Sequence, residues 1–117
     1  MSKVKSVYLK LIFLEYCPYS EKLKKFLDDM KIKYKLVKVT QSSKHKYKSE
    51  KISTFPQLYF ITKKNKYLIG GSDSGIKLVL DVKSMGGIEG FDTFQKSVKD
   101  LKIPKKDLLR LAILILS

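Results

Sequence analysis

One residue in this chain carries nucleophilic chemistry that its neighbours can sharpen. Cys17 is the only cysteine, and it stands where the apolar run Val7 to Leu14 gives way to Pro18 and a helical pattern. The thiolate is the reactive form of cysteine, and a free thiol titrates near ~8.5. A helix N-terminus presents unpaired N–H groups and about half a positive charge, which stabilise a thiolate and lower its pKa by about one to several units. Pro18 suits a first helical turn, where its missing N–H has no intrahelical partner. Ser20, three residues on, is placed to offer its hydroxyl to the same sulfur. A competing reading makes Cys17 a small buried hydrophobe, but its place at a helix start, followed by proline, favours chemistry. Hydrolysis by a cysteine–histidine pair needs a base within reach. The only histidine, His45, lies in a polar, lysine-rich stretch that reads as surface. One cysteine and one histidine leave no metal-binding set of nitrogen and sulfur ligands and no internal disulfide. A lone thiol suits a reducing compartment, so the chain is expected in the cytoplasm.

The elements that must position Cys17 follow from periodicity. Val7 to Leu14 (VYLKLIFL) reads as a buried strand. From Pro18 to Met30, apolar residues at Tyr19, Leu23, Phe26, Leu27 and Met30 describe one helical face. Lys33 to Thr40 is a second strand, Gln41 to Ile52 a weak helix or a loop, and Gln57 to Thr62 a third strand. After a turn at Lys63 to Lys66, Tyr67 to Ile69 forms a short fourth strand. Gly70 and Gly71 lead into a helix from about Ser74 to Lys83, with Ser72 or Asp73 as its N-cap. This order predicts a βαβ unit with a right-handed crossover, then a hairpin. The fold class is α/β: a four-stranded mixed sheet flanked by helices on both faces. Beyond it, Phe91 to Leu101 reads as one amphipathic helix. The apolar run Leu108 to Leu116 is a core helix, a strand, or a surface for a second copy or a partner.

The 117 residues suit one domain over 1–117. No apolar stretch approaches the ~18–20 residues that cross a bilayer. The N-terminal lysines, followed by only a few apolar residues, do not read as a secretory signal. Net charge is +14, with 25 basic residues against 11 acidic, and Arg110 is the sole arginine. Base-specific readout leans on arginine. The lysines therefore read as a solvated surface, with non-specific, salt-sensitive contact to polyanions as the alternative.

Three segments resemble the glutaredoxin family when taken together. Cys17-Pro18-Tyr19-Ser20 is similar to its active site in the monothiol form. Thr54-Phe55-Pro56 resembles its threonine-x-proline segment, and Gly70-Gly71-Ser72-Asp73-Ser74 its glycine-glycine-x-aspartate segment. They occur in family order, and the resemblance covers about residues 5–83, leaving 84–117 as a C-terminal extension. It implies a thioredoxin fold, with a cis peptide before Pro56 facing Cys17. It also implies a glutathione site to which Tyr19 and Thr54 contribute. There the backbone of Phe55 would pair with the cysteinyl part like an added strand. The N–H groups of Ser72, Asp73 and Ser74 after Gly71 would hold the γ-glutamyl carboxylate, and the Asp73 carboxylate the ammonium. Alone, these segments also read as ordinary capping and a plain proline at the start of a strand. The chain departs from the family at Leu14, where a lysine is frequent, at Ser53 for an arginine, and at Ser74 for a second acid. Glu15 adds a carboxylate beside the thiol, which opposes ionisation; Lys22 or Lys51 is placed to substitute for the lysine.

The function implied is glutathione-dependent thiol–disulfide exchange through Cys17, with glutathione as cosubstrate and glutathionylated proteins as partners. Two alternatives stand beside it. One is a [2Fe–2S] cluster shared by two chains and two glutathiones, since one cysteine per chain supplies too few of the four ligands. The rigid, bulky Pro18-Tyr19 counts against it. The other is a redox-inactive interaction module on the same scaffold.

Overall fold

The computed structural model describes residues 7–117; residues 1–6, with the N-terminal lysines and the first positions of the family resemblance, lie outside them. Strand β1 (Tyr8–Leu14) leads through Cys17 into helix α1 (Pro18–Asp29), which returns the chain to β2 (Lys35–Val39). β2 lies parallel to β1, in a register that sets Lys10 against Lys35 and Leu14 against Val39. Strand β3 (Gln57–Ile61) runs antiparallel on the other side of β1, and β4 (Lys66–Gly70) completes a hairpin with it. The sheet order is β2-β1-β3-β4, the expected βαβ unit followed by a hairpin. Helix α2 (Ser72–Lys83) follows, then α3 (Phe91–Ser97) and α4 (Lys105–Leu116).

Alternation along β1 sorts the core into two clusters. Leu9, Leu11 and Phe13 meet side chains from all four helices, including Leu23 and Leu27 of α1, Leu78 of α2, Phe94 of α3 and Leu111 of α4. Ile12 and Leu14 point the other way, onto Val39 and Phe55, with Cys17, Val37, Tyr47 and Tyr59 around them. All four α-helices thus gather on one face of the sheet. The expected helix on the opposite face is reduced to a 3₁₀ turn, Lys44–Tyr47, within the polar stretch 41–56. The physical reason is legible: that stretch has too few apolar residues to bury a helical stripe.

Helix α1 ends by a device its sequence disguises. Lys31 takes a left-handed conformation, φ 59°. Its N–H donates to Asp28 O at 3.0 Å, and the Ile32 N–H donates to Leu27 O at 2.9 Å. That is the Schellman pattern, sealed by apolar contact between Ile32 and the core beneath Leu27. Gly75 on α2 permits the close approach of α1: a Cβ there would meet a Leu23 methyl at 3.0 Å.

The run read as one helix over 91–101 divides instead. α3 stops at Ser97, and a 3₁₀ turn, Lys99–Leu101, follows. The tighter turn keeps Phe91, Phe94 and Val98 in the core while the chain swings toward the buried Ile103. The apolar run from Leu108 is a core helix: Leu108, Leu111, Ala112 and Ile115 are buried, while Ile113 and Leu116 face out. α4 is also pinned to the sheet. Tyr67 on β4 donates to Asp107 Oδ2 at 2.6 Å, and Arg110, the sole arginine, donates to Asp107 Oδ1 at 3.1 Å. Burial, then the Asp107 carboxylate, pushes the Tyr67 hydroxyl up to about 12.

Candidate functional site

Cys17 is the N-cap residue of α1, in extended conformation, with Pro18 in the first helical turn. The turn that delivers it passes through Tyr16, held at φ 59°. A positive φ on a tyrosine is uncommon, and such residues cluster at functional sites. Tyr16 and Tyr19 stand well exposed on either side of the half-buried thiol. The thiol donates weakly to the carbonyl oxygen of Phe55, 3.8 Å away. Phe55 and Pro56 are joined by a cis peptide, as the family resemblance implies. Both are buried, and Thr54 before them is exposed.

The third segment adjoins the second. Gly71 lies so close to Pro56 that a Cβ on it would sit 3.5 Å from the Pro56 carbonyl oxygen. Gly70, at φ 132°, leaves no room for a side chain against Ser74. α2 therefore begins at once, with Gly71 as its N-cap. The expected caps, Ser72 and Asp73, fall inside the first turn instead, and no side chain caps the helix. Ser72 is buried and its hydroxyl is unpartnered among the described residues. A buried orphan hydroxyl carries a free-energy cost, so this helix start offers hydrogen-bonding capacity that the chain does not use. Asp73 is almost fully exposed and pairs with Lys22 of α1 at 3.8 Å. Cys17, Phe55, Pro56, Gly71, Ser72 and Asp73 thus come together from three separated segments; Ser74, one turn in, is exposed beside Gly70.

Ser20 is not turned to the sulfur in the way its spacing suggests. It is fully buried and accepts the N–H of Leu14 at 3.1 Å. The β1–β3 ladder ends at Ile12 and Gln57, while the Glu15 N–H goes to Val39 of β2. The Leu14 N–H therefore faces the side where pairing has stopped, and Ser20 satisfies it. Leu14, at the position where lysine is frequent in the family, packs in the second cluster with Phe55. Glu15 is engaged by Gln41: its Oε2 accepts the N–H of Gln41 at 3.0 Å, and its carbonyl accepts the Gln41 side-chain amide at 2.9 Å.

One structural residue of the site escaped the sequence reading. Gln57, the first residue of β3, is 1 % exposed. Its amide donates to Tyr47 O at 2.8 Å and to Thr54 O at 3.2 Å, while its Oε1 accepts the Tyr59 hydroxyl at 3.1 Å. It holds the 3₁₀ turn and the Thr54-Phe55-Pro56 segment as one piece. The signal for it was a polar side chain opening an otherwise apolar strand.

Among the described residues, no three or more His, Cys, Asp or Glu side chains gather where they could hold a metal ion. No helix among them is long and apolar enough to cross a membrane.

Comparison with known proteins bears on this arrangement. The glutaredoxin family profile matches residues 6–64. No curated protein matches the chain. Among solved structures, the crystal structure of glutaredoxin 1 from Francisella tularensis complexed with cacodylate matches with a TM-score of 0.52 and 21% identity, covering 69% of this chain and 99% of that one. At that identity the likeness bears on the fold, which is thioredoxin-like.

Proposed function

Since the chain belongs to the glutaredoxin family, we propose that it is a glutathione-dependent, monothiol oxidoreductase acting through Cys17. Family membership supports thiol–disulfide chemistry in general. The observation that favours the finer reading is the convergence of a lone thiol on an N-cap, the Phe55 carbonyl at 3.8 Å, and the free start of α2 with its orphan Ser72 hydroxyl.

The steps balance without a second cysteine. The Cys17 thiolate attacks the glutathione sulfur of a glutathionylated protein, forming one S–S bond as another breaks. The protein leaves as a thiolate and takes a proton from water. Glutathione remains on Cys17. A second glutathione, as thiolate, attacks its sulfur, and oxidised glutathione departs while Cys17 regains its electron pair. In this reading the backbone of Phe55 pairs with the cysteinyl part of glutathione. The first N–H groups of α2 hold the γ-glutamyl carboxylate, and Asp73 holds the ammonium, exchanging its partner Lys22 for the ligand. Tyr19 and Thr54, both exposed, line the approach. Exposed Tyr16 adds to the same rim.

The test is reduction of a glutathione mixed disulfide coupled to glutathione reductase, with Cys17→Ser alongside. Turnover lost in the variant supports the reading. A folded wild type with no turnover overturns it, and absorption above about 400 nm in iron-supplemented protein, lost in Cys17→Ser, would replace it with a shared [2Fe–2S] cluster. Each chain offers that cluster only one thiolate of four.

A further inference from the structure

The face of the sheet without α-helices carries a groove of about 440 Å³, bounded by Lys10, Lys66, Lys46, Lys48 and Lys51, with Gln57 and Tyr59 on its floor. No acidic residue lines it. The charge around it is segregated by architecture. The four strands contain no aspartate or glutamate, and the 41–56 segment holds one, Glu50, against Lys44, Lys46, Lys48 and Lys51. Every ion pair among the described residues lies on α1, α2 or α4. The groove lysines Lys10, Lys46, Lys48, Lys51 and Lys66 form no ion pair among the described residues. Lys35, opposite Lys10 across the parallel β1–β2 pair but outside the groove lining, adds one more cation beside it. Five lysines lining one concavity, with no acidic residue among the lining, describe a site for an anion that brings its own charge.

We propose that this groove binds a small ligand carrying several linked phosphates, separately from the chemistry at Cys17. Three observations favour that occupant over other polyanions. The volume falls within the ~300–1,000 Å³ range of small-molecule sites. An acidic protein surface would need on the order of 800 Å² of matching contact rather than a concavity. A single strand of nucleic acid would need a series of aromatic faces for its bases; of the two tyrosines in the lining, Tyr59 is already covered by the Lys66 ammonium, 4.6 Å from its centre, which leaves Tyr47 alone. Lysine binds phosphate as a point charge, without the planar fork by which arginine reads one geometry. Such a site selects charge density over shape.

The probe is inorganic tripolyphosphate, titrated by calorimetry at low and moderate salt into the full chain. Two variants of equal net charge are compared. One is Lys46→Gln/Lys48→Gln/Lys51→Gln, whose side chains make no hydrogen bond or ion pair among the described residues. The other is Lys83→Gln/Lys96→Gln/Lys99→Gln on the helical side. The groove triple is expected to weaken binding at least tenfold, and the helical triple less than threefold. Amide shifts on titration of the wild type are expected at Lys10, Tyr59, Lys66 and Leu68. Equal weakening in both triples would reduce the effect to net charge and overturn the site. So would shifts confined to Cys17 and the start of α2, or a bound single-stranded oligonucleotide that tripolyphosphate fails to displace. Because the readouts are binding and amide shifts, failure of the redox activity at Cys17 leaves this test intact.

Discussion

The two faces of the sheet are held by different forces. On the helical face, Leu9, Leu11 and Phe13 meet α1, α2, α3 and α4 in one apolar cluster, and the ion pairs sit on the outer surface of those helices. On the other face, four buried apolar residues are roofed by a lysine-rich segment that one glutamine ties down. Apolar burial scales with area and is indifferent to charge, so the helical face can supply most of the stability. The second face is thereby released from that duty. It can hold lysines at a density a load-carrying face would not tolerate, and it can carry the Thr54-Phe55-Pro56 segment on a short hydrogen-bonded tether.

The largest effect should come from the helical face. Leu23→Ala removes a fully buried side chain at the α1–α2 contact, at a cost of about 2–5 kcal/mol. Leu68→Ala, the same truncation in the half-buried groove, should cost less than half as much. Chemical denaturation of the two variants measures both; equal losses would break the comparison. Next in size is Gln57→Ala. It strips the Tyr47 and Thr54 carbonyls of their donor, at about 1–3 kcal/mol. Hydrogen exchange should then quicken over residues 47–55 and stay unchanged in α2. Exchange that quickens equally in α2 would show the two faces to be one cooperative unit. The smallest effect is in pH. Tyr67 holds its proton more tightly folded than unfolded, about 12 against an ordinary value near 10. Its contribution is therefore complete below pH about 10 and is lost as pH climbs toward 12. Wild type should lose stability across that window faster than Tyr67→Phe. Parallel pH profiles would mean that folding does not raise the Tyr67 hydroxyl.

Much of this was legible in the sequence, because periodicity reports local structure. Strand β1, helix α1 and the hairpin appear within a residue or two of their expected bounds, and Cys17 sits at the helix start that Pro18 marks. The misreadings share a cause. Ser20 looked available to the sulfur until the end of the β1–β3 ladder left Leu14 needing a partner. Ser72 and Asp73 looked like caps until Gly70 and Gly71 brought the helix in early. Gln57 and the groove are tertiary facts: Lys10, Lys46, Lys51 and Lys66 are scattered along the chain, and only the sheet collects them. A sequence reading spreads such charge evenly over the surface, whereas the fold sorts it by face.

The docking of α4 has a consequence for synthesis. Leu111 and Ile115 share a cluster with Leu9 and Leu11, so β1 and α4, made far apart in time, complete the same core. Contacts between distant parts of a chain form late and slowly. While the polypeptide is emerging, β1 to α2 can gather around Cys17, but the patch reserved for α4 stays open to water. Transiently exposed apolar surface of that kind draws chains together. The nascent chain is therefore most prone to association in the interval after α2 has emerged and before Asp107 reaches Tyr67.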